Sequence, residues 1–196
     1  MNVPSSFEPQ ARIQVLLEEY RALYSLAKFR VVALDRRVPL ASTTLSLSLG
    51  GAFVAPVAIQ AVVLMGLPIA VLWLVRTTIN HSRSFEDALR RIEQIELHVN
   101  AIAGETLLAF QSSHPSRGES VGGRTGRESV LAVALASTGS LVACLALAAL
   151  LAQQDTALRL FYLLLPVSTS ALIARELHRL DRYRYRARET ESPGDR

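Results

Sequence analysis

The sequence contains a long stretch that lacks charge altogether. Residues 38–75 include no Asp, Glu, Lys, Arg or His, and Arg36, Arg37 and Arg76 border them. A soluble domain does not normally bury so long an uncharged run, so a lipid bilayer is its expected environment. As one helix, these 38 residues (75 − 38 + 1) would extend about 57 Å, nearly twice the roughly 30 Å of a hydrocarbon core. We therefore expect two membrane helices joined by a turn.

Cysteine and metal-ligand patterns are also missing. Cys144 is the only cysteine, which excludes a disulfide framework or a zinc site within one chain. None of the four histidines has metal-ligand spacing to another histidine, a cysteine or a carboxylate, so we expect no metal site and no cofactor. The first residues carry no basic segment followed by an apolar core, so we expect no cleavable signal peptide.

The basic residues lie beside the apolar runs rather than throughout the chain. Of the 21 Lys and Arg residues, six fall in 1–37, seven in 76–129, one at position 159 and seven in 175–196. This distribution matches the positive-inside rule, so we attribute the net charge of +4 to membrane topology and not to nucleic-acid binding. The Ala- and Arg-rich composition indicates a bacterial source.

Five segments of alternating character divide the chain. The first predicted membrane hairpin is 38–75, with spans at 38–52 and 56–75 and a turn at Gly50, Gly51 and Pro56. The second is 130–174, with spans at 130–152 and 157–174. The polar segments are an amphipathic N-terminal region (1–37), a helix with a Gly/Ser-rich loop (76–129) and a basic tail (175–196). Four crossings place both termini on the cytoplasmic side.

Two polar segments have apolar residues at helical spacing. Residues 10–36 predict an amphipathic helix, and residues 85–111 predict a second helix that begins at a capping box of Ser84 and Asp87. The second helix carries a coiled-coil-like heptad seam, formed by Phe85, Ala88, Ile92, Ile95, Val99 and Ile102. The seam is compatible with pairing to residues 13–34 of the same chain and with pairing between subunits, and we slightly favour the first.

Small residues recur every four positions in two of the predicted spans. In the third span this helix-packing ladder comprises Ala132, Ala136, Ser140, Cys144 and Ala148. In the first span, Ser42, Ser46 and Gly50 repeat this four-residue spacing, and Thr43 adds a further hydroxyl group. Such ladders usually allow close helix packing within a chain. The alternative for the first span is that its hydroxyl groups line a pore in an oligomer.

The loop before the third span contains two partial motifs. Residues 118–122 fit the G-x-S-x-G nucleophile elbow, but the α/β sheet that this motif requires is absent from the predicted pattern. Residues 118–125 resemble a phosphate-binding loop in spacing, with Arg124 where the motif has lysine. A flexible linker is the favoured interpretation. Weak anion contact is the alternative, at Gly122, Gly123, Arg124 and Thr125.

Ionisable groups are almost absent from the predicted spans, with Arg159 at an edge as the one exception. Ion-coupled transporters usually carry such groups near the midplane, so their absence argues against secondary transport but not against a passive pore. No constellation of nucleophile, base and metal is present, so we expect no enzymatic activity.

The sequence therefore predicts an all-α integral membrane protein with four transmembrane helices in two hairpins and cytoplasmic amphipathic or coiled-coil-like helices. Our leading functional hypothesis is an oligomeric pore or a channel-like effector that a ligand or partner gates. The alternative is a scaffold that recruits a cytoplasmic partner and conducts nothing. The expected partners are the inner-membrane bilayer, with anionic lipid heads between Arg175 and Arg188, further copies of the chain, and a cytoplasmic protein or nucleotide.

Overall fold

The chain forms long helices and, within the described residues, no strands. The structure, a computed structural model, describes residues 9–114, 121–151 and 156–185. Its helices are α1 (Pro9–Val54), α2 (Val57–Ala103), α3 (Gly123–Leu151) and α4 (Thr156–Tyr185). Three of them, α2, α3 and α4, contain segments long and apolar enough to cross a membrane. The all-α membrane-protein prediction is confirmed to that extent.

Helix α1 joins two elements that the sequence pattern separated. The predicted amphipathic helix (10–36) and the predicted first span (38–52) form one helix of 46 residues that continues through Pro39. Pro39 lies inside this helix, where it removes one backbone hydrogen bond. The uncharged end, 38–54, has 17 residues (54 − 38 + 1), and α1 is not among the helices long and apolar enough to cross a membrane.

Helix α2 is likewise continuous from the predicted second span into the predicted cytoplasmic helix. Ser84 therefore lies inside a helix and does not cap one, which corrects the capping-box prediction. The helix also ends at Ala103 rather than at Gln111. Gly104 adopts a left-handed conformation (φ 74°), and its N–H donates to the Asn100 carbonyl, 2.9 Å away. Glycine favours this C-terminal cap because other residues rarely adopt that conformation.

Helices α3 and α4 complete the bundle. Helix α3 begins at Gly123, seven residues before the predicted start at position 130 (130 − 123). The end of the predicted loop is therefore part of the helix. Helix α4 combines the predicted fourth span with most of the basic segment in one helix. The predicted lead at 1–8 and the end of the tail at 186–196 lie outside the described residues.

The core has two parts that follow α1 and α2 along their length. Helices α1 and α2 pair as a hairpin, α3 packs against both, and α4 packs against α2 and α3. The larger apolar cluster lies among the uncharged segments and includes Leu45, Leu64, Val71 and Val133. A smaller cluster lies between residues 20–34 of α1 and 85–92 of α2. We call this second part, residues 9–37 of α1 with 81–103 of α2, the stalk.

The stalk shows how the heptad seam is used. Phe85 and Ile92 pack in one cluster with Ala27 and Leu34 of α1, so the first half of the seam pairs within the chain. The remaining seam residues at positions 88, 95 and 99 are also buried, whereas Ile102 at the end is exposed. A bidentate ion pair braces the stalk outside the seam, with Arg91 Nε and Nη2 donating to Glu19 at 2.7 and 3.0 Å.

Candidate functional site

Three polar side chains on the stalk half of α2 hold the segment that returns the chain to α3. These are Glu86, Glu96 and Asn100, and we refer to them together as the latch. They bind backbone groups of residues 107–112 and of Gly122, which we call the return segment. The latch arises because α2 continues beyond the membrane-compatible part and presents polar side chains beside its apolar seam.

Glu96 is the central latch residue and is fully buried, with a side chain that solvent does not reach. Its carboxylate accepts hydrogen bonds from the Gln111 N–H at 2.9 and 3.0 Å and from the Ser112 N–H at 2.8 Å. The hydroxyl of Tyr20 on α1 donates to the same carboxylate at 3.3 Å. Several donors around one carboxylate offset the high cost of burying its charge. Glu96 therefore connects α1, α2 and the return segment at one point.

Asn100 holds the beginning of the return segment one helical turn beyond Glu96. Its Oδ1 accepts from the N–H groups of Leu107 and Leu108 at 2.9 Å each, and its Nδ2 donates to the Leu108 carbonyl at 2.7 Å. The ring of Phe110 then makes an edge contact with Tyr24 of α1, with centroids 5.3 Å apart. The segment is therefore bound through both backbone and side chain.

Glu86 holds the other end of the return segment. Its Oε2 accepts from the Gly122 N–H at 2.9 Å, and its Oε1 accepts from Arg90 Nε at 2.9 Å. Gly122 (φ 73°) and Gly123 (φ 62°) are both left-handed. A Cβ on Gly126 would lie 2.6 Å from the Val121 carbonyl oxygen, so the chain enters α3 through a turn that has no room for a side chain. Consecutive amides in such turns form anion-binding concavities, and here one amide already binds a carboxylate.

The membrane edge of the stalk carries a second polar cluster. Nη1 of Arg30 donates to the carbonyl and the hydroxyl of Ser84, which fixes the two helices together. Nη2 of Arg37 donates to Nε2 of His81 at 2.8 Å. Partial burial is the main cause that lowers the pKa of His81 below its ordinary value of 6.5, and the positive charges of Arg37 and Arg30 lower it further. The neutral ring is therefore the form that accepts the hydrogen bond from Arg37.

No family model, curated protein or solved structure matches this chain. Its function has to be inferred from its residues and their geometry. The latch side chains bind backbone amides of the return segment, and the second polar cluster joins α1 to α2 through Arg30, Arg37, Ser84 and His81. Among the described residues, no group of three histidine, cysteine or acidic side chains could hold a metal ion.

The hydroxyl-rich residues of the predicted first span lie on the outside of the bundle. Ser42, Thr43, Ser46 and Gly50 are all exposed. Ser42 Oγ donates to the carbonyls of Val38 and Pro39 in its own helix, at 3.0 and 3.1 Å. A Cβ added at Gly50 would meet nothing within 4 Å. Because these residues point away from the core, packing among the described residues does not use them.

The small residues of α3 have the opposite placement. Ser140, Cys144 and Ala148 are buried, and Ala132 and Ala136 are partly buried. Cys144 and Ala148 belong to the larger core cluster, and Ala136 packs against it. This ladder therefore allows α3 to approach its neighbours within the chain, which is the usual role of small residues in membrane helices.

The glycine-rich segment is partly described. Gly122 donates to Glu86, Arg124 Nε donates to the exposed Glu128 at 2.8 Å, and Thr125 is partly buried at the start of α3. The Gly123 amide lies in the same turn. The rest of the G-x-S-x-G match, residues 118–120, lies outside the described residues, as does the side chain of Arg159.

The latch residues were not predicted from the sequence. Glu86 and Asn100 are two heptads apart on α2 beside the apolar seam, whereas Glu96 does not belong to that row. The sequence pattern therefore singles out none of the three as a ligand for the return segment.

Proposed function

We propose that this chain is a non-enzymatic, multi-pass membrane protein that assembles with copies of itself into a gated pore. The observation that carries the proposal is the two-sided character of α1 in its uncharged part. Ala41, Leu45 and Ala52 face the core and are buried. Ser42 and Ser46 lie on an exposed side that nothing in the described chain uses. A helix with one packed side and one hydroxyl-lined side suits the wall of an aqueous pore.

The composition of α1 supports the same assignment. Lipid offers hydroxyl groups no hydrogen-bonding partner beyond their own helix, whereas a water-filled pore does. Helix α1 is the described helix that falls outside the clearly apolar set. Placing it at the centre of an oligomer would shield it from lipid. The absence of acidic and basic residues from 38–75 favours a passive pore over an ion-coupled carrier.

The latch supports a proposal for gating. The return segment connects the stalk to α3 and is held by Glu86 at Gly122, where a backbone amide binds a carboxylate at 2.9 Å. An anionic ligand, such as a nucleotide phosphate, that bound the amides of this turn would compete with Glu86. We propose that a ligand or a cytoplasmic protein partner releases the return segment in this way.

The proposed setting is the bacterial inner membrane, with four crossings and both termini in the cytoplasm. The stalk and the basic end of α4 would then lie on the same, positively charged side. Arg175 and Arg179 are exposed on α4, where anionic lipid heads can reach them.

Release of an encapsulated dye from liposomes tests the pore. Protein reconstituted into sealed liposomes should release the dye, and Ser46→Leu on α1 should reduce the rate by about tenfold or more, because a bulky apolar side chain at that level opposes the passage of water. The matched control is Ser168→Leu, which makes the same change at an exposed position of α4. Liposomes that stay sealed at high protein loading would contradict the pore.

The second candidate is a scaffold that anchors a cytoplasmic partner. The observation that favours it is the rigidity of the stalk, which the pair Arg91–Glu19 and the contact of Arg30 with Ser84 brace from two sides. Capture of one stoichiometric soluble partner by the full chain, lost when residues 1–35 are removed, together with the absence of dye release, would favour the scaffold over the pore.

A further inference from the structure

The outer surface of α1 carries a second apolar row that the described part of the chain does not cover. Its members alternate by three and four positions over most of the helix, and we call the row the outer seam. It consists of Ala22, Leu26, Phe29, Ala33, Arg36, Leu40, Thr43, Leu47, Gly50 and Val54. All of these except Ala33 are exposed, with relative exposures of 71% for Phe29, 70% for Leu40, 71% for Leu47 and 87% for Val54. This spacing is typical of helices that pair along their length.

The inner side of α1 already satisfies the packing needs of the single chain. Ala27, Leu34, Ala41, Leu45 and Ala52 are buried against the rest of the bundle. The outer seam lies on the other side of the helix. It therefore adds nothing to the fold of one chain and presents a surface for a partner.

The seam extends from water into the membrane, and this restricts what can cover it. Helix α1 has 46 residues and is about 69 Å long, more than twice the roughly 30 Å of a hydrocarbon core. Lipid can cover Leu40, Leu47 and Val54 in the uncharged part. Leu26 lies 12 residues before Val38 (38 − 26), about 18 Å along the axis, which is beyond the interfacial layer. The occupant must therefore be a helix that runs beside α1 through both environments.

We propose that this occupant is α1 of a second copy of the chain, parallel to the first and related by a twofold axis along the membrane normal. A second copy has a helix of the required length, the same orientation to the membrane and the same apolar spacing at every level. The contact is isologous, so each seam residue meets the same row on its partner, as in most two-chain assemblies.

The size and charge of the seam fit such a pair. From Ala22 to Val54 the seam is about 48 Å long, and a helix about 10 Å wide gives about 500 Å² on each chain, or about 1,000 Å² in all, the lower bound for a specific interface. Small residues at Ala22, Ala33 and Gly50 let the helices approach closely. Just before the seam, Glu18 pairs with Arg21 of its own helix at 2.6 Å.

Arg36 is the one charged member of the seam. It lies two residues before the uncharged stretch, where lipid phosphates are within reach of a long side chain. Two facing arginines at this level are tolerated because anionic head groups surround them, whereas the same pair within the hydrocarbon core would not be.

The inference deepens the proposed function and rests on it in one respect, since both require the chain to self-associate. It adds the contact surface. Thr43 and Gly50 belong to the seam, whereas Ser42 and Ser46 lie beside it. A dimer that uses the seam for contact leaves Ser42 and Ser46 free to line a pore in a larger assembly.

Cysteine cross-linking in native membranes tests the seam. In a Cys144→Ala background, single cysteines replace Leu26, Leu40 or Leu47 on the seam, and Lys28 or Ser42 at exposed positions off it. Helices with axes about 8–10 Å apart and a Cα radius of about 2.3 Å bring facing Cα atoms within disulfide range. We expect the three seam positions to form covalent dimers under mild oxidation, with yields about fivefold or more above the two controls.

The outcomes separate the seam from the proposed function. Cross-linking at positions 28 and 42 but not at 26, 40 and 47 would overturn the seam while leaving an oligomer. The absence of covalent dimers for all five cysteine positions would overturn both proposals. Seam cross-links in a protein that releases no dye would support the seam and contradict the pore.

A second variant avoids dependence on disulfide geometry. Phe29→Glu places a charge on the exposed seam without touching the buried side of α1, so the single chain should keep its fold. We expect its dimer fraction in mild detergent, measured by native mass spectrometry, to fall about tenfold or more, because two facing carboxylates repel and lose the apolar contact. Lys28→Glu introduces the same residue one position away and should leave the dimer intact. Equal dimer fractions in the two variants would overturn the seam.

Discussion

The hydroxyl of Tyr20 on α1 donates to the buried carboxylate of Glu96 on α2 across 3.3 Å, although the two residues are 76 positions apart. The same carboxylate binds two amides of the return segment. Burial of the phenol is the main cause that raises the pKa of Tyr20, and the neighbouring charge of Glu96 raises it further. The hydroxyl therefore keeps its proton and remains a donor. This contact joins the N-terminal part of the stalk to the segment that leads into α3.

Glu96→Ala should release the return segment. The change removes the carboxylate that accepts from the partly buried N–H groups of Gln111 and Ser112, and a hydrogen bond to a charged group contributes about 1.5–3 kcal/mol. We expect hydrogen exchange at these two amides to accelerate by roughly 10–100-fold, which corresponds to that free energy of local opening. Glu105→Gln, at an exposed carboxylate nearby, is the control and should leave the exchange rates unchanged. Protection at both amides in Glu96→Ala would mean that Glu96 does not hold the segment.

Alanine substitution at Gly126 should destabilise the start of α3. A Cβ there would lie 2.6 Å from the Val121 carbonyl oxygen, so backbone atoms would have to shift. We expect a loss of about 1–3 kcal/mol in stability, as for other overpacked sites. A Cβ on Gly139 in the same helix would meet nothing within 4 Å, so Gly139→Ala should be neutral or stabilising by up to about 1 kcal/mol. Thermal unfolding in detergent would compare the variants, and equal midpoints would contradict the tight turn.

Acidification should destabilise the end of the stalk where Arg37 binds His81. The folded state holds His81 neutral and lowers its pKa below 6.5. Between that lowered pKa and 6.5 the unfolded chain binds the proton more readily, so this contribution to stability is complete above 6.5 and decreases as the pH falls. Thermal stability should therefore drop between about pH 7.5 and about pH 5.5. His81→Gln, which keeps an acceptor for Arg37 without titrating, should reduce the drop, whereas His98→Gln at an exposed histidine should not.

Reporter fusions should place the stalk and both termini on one side of the membrane. Fusions after positions 114 and 196 should report the cytoplasm, and insertions at positions 55 and 155 should report the opposite side, because four crossings alternate between the two faces. A fusion after position 114 that is exported would contradict the four-span topology. A tag at the N-terminus distinguishes four crossings, which place it on the side of position 114, from three, which place it on the side of position 55.

The helical membrane architecture was predictable because composition determines it. The uncharged run at 38–75 and the apolar run that becomes α3 exceed what a soluble domain buries, and three of the resulting helices are apolar enough to cross a membrane. Helix boundaries were less predictable. The change from charged to uncharged residues at position 38 and the capping box at Ser84 suggested boundaries, but tertiary contacts along α1 and α2 stabilise continuous helices across both places.

The candidate site was mostly beyond prediction from the sequence. Glu96 and Tyr20 meet only because α1 folds back on α2, and Glu86 binds the Gly122 amide although the two residues are 36 positions apart. Hydrophobic periodicity indicates which side of a helix is buried, but not which polar group a buried carboxylate will bind. The glycines before α3 are visible in the sequence as a turn signal, whereas the carboxylate beside the Gly122 amide depends on long-range packing.

The uninterrupted passage of α1 and α2 from the stalk into their uncharged parts has a mechanical consequence. In the proposed topology, two paired helices without a hinge would behave as a lever with the membrane surface as its pivot. The stalk arm of α1, residues 9–37, is about 43 Å long, so a tilt of about 10° moves its tip by about 7 Å. A partner that pulled on the tip would then apply torque directly to the uncharged parts of α1 and α2, and no separate transmission element would be needed.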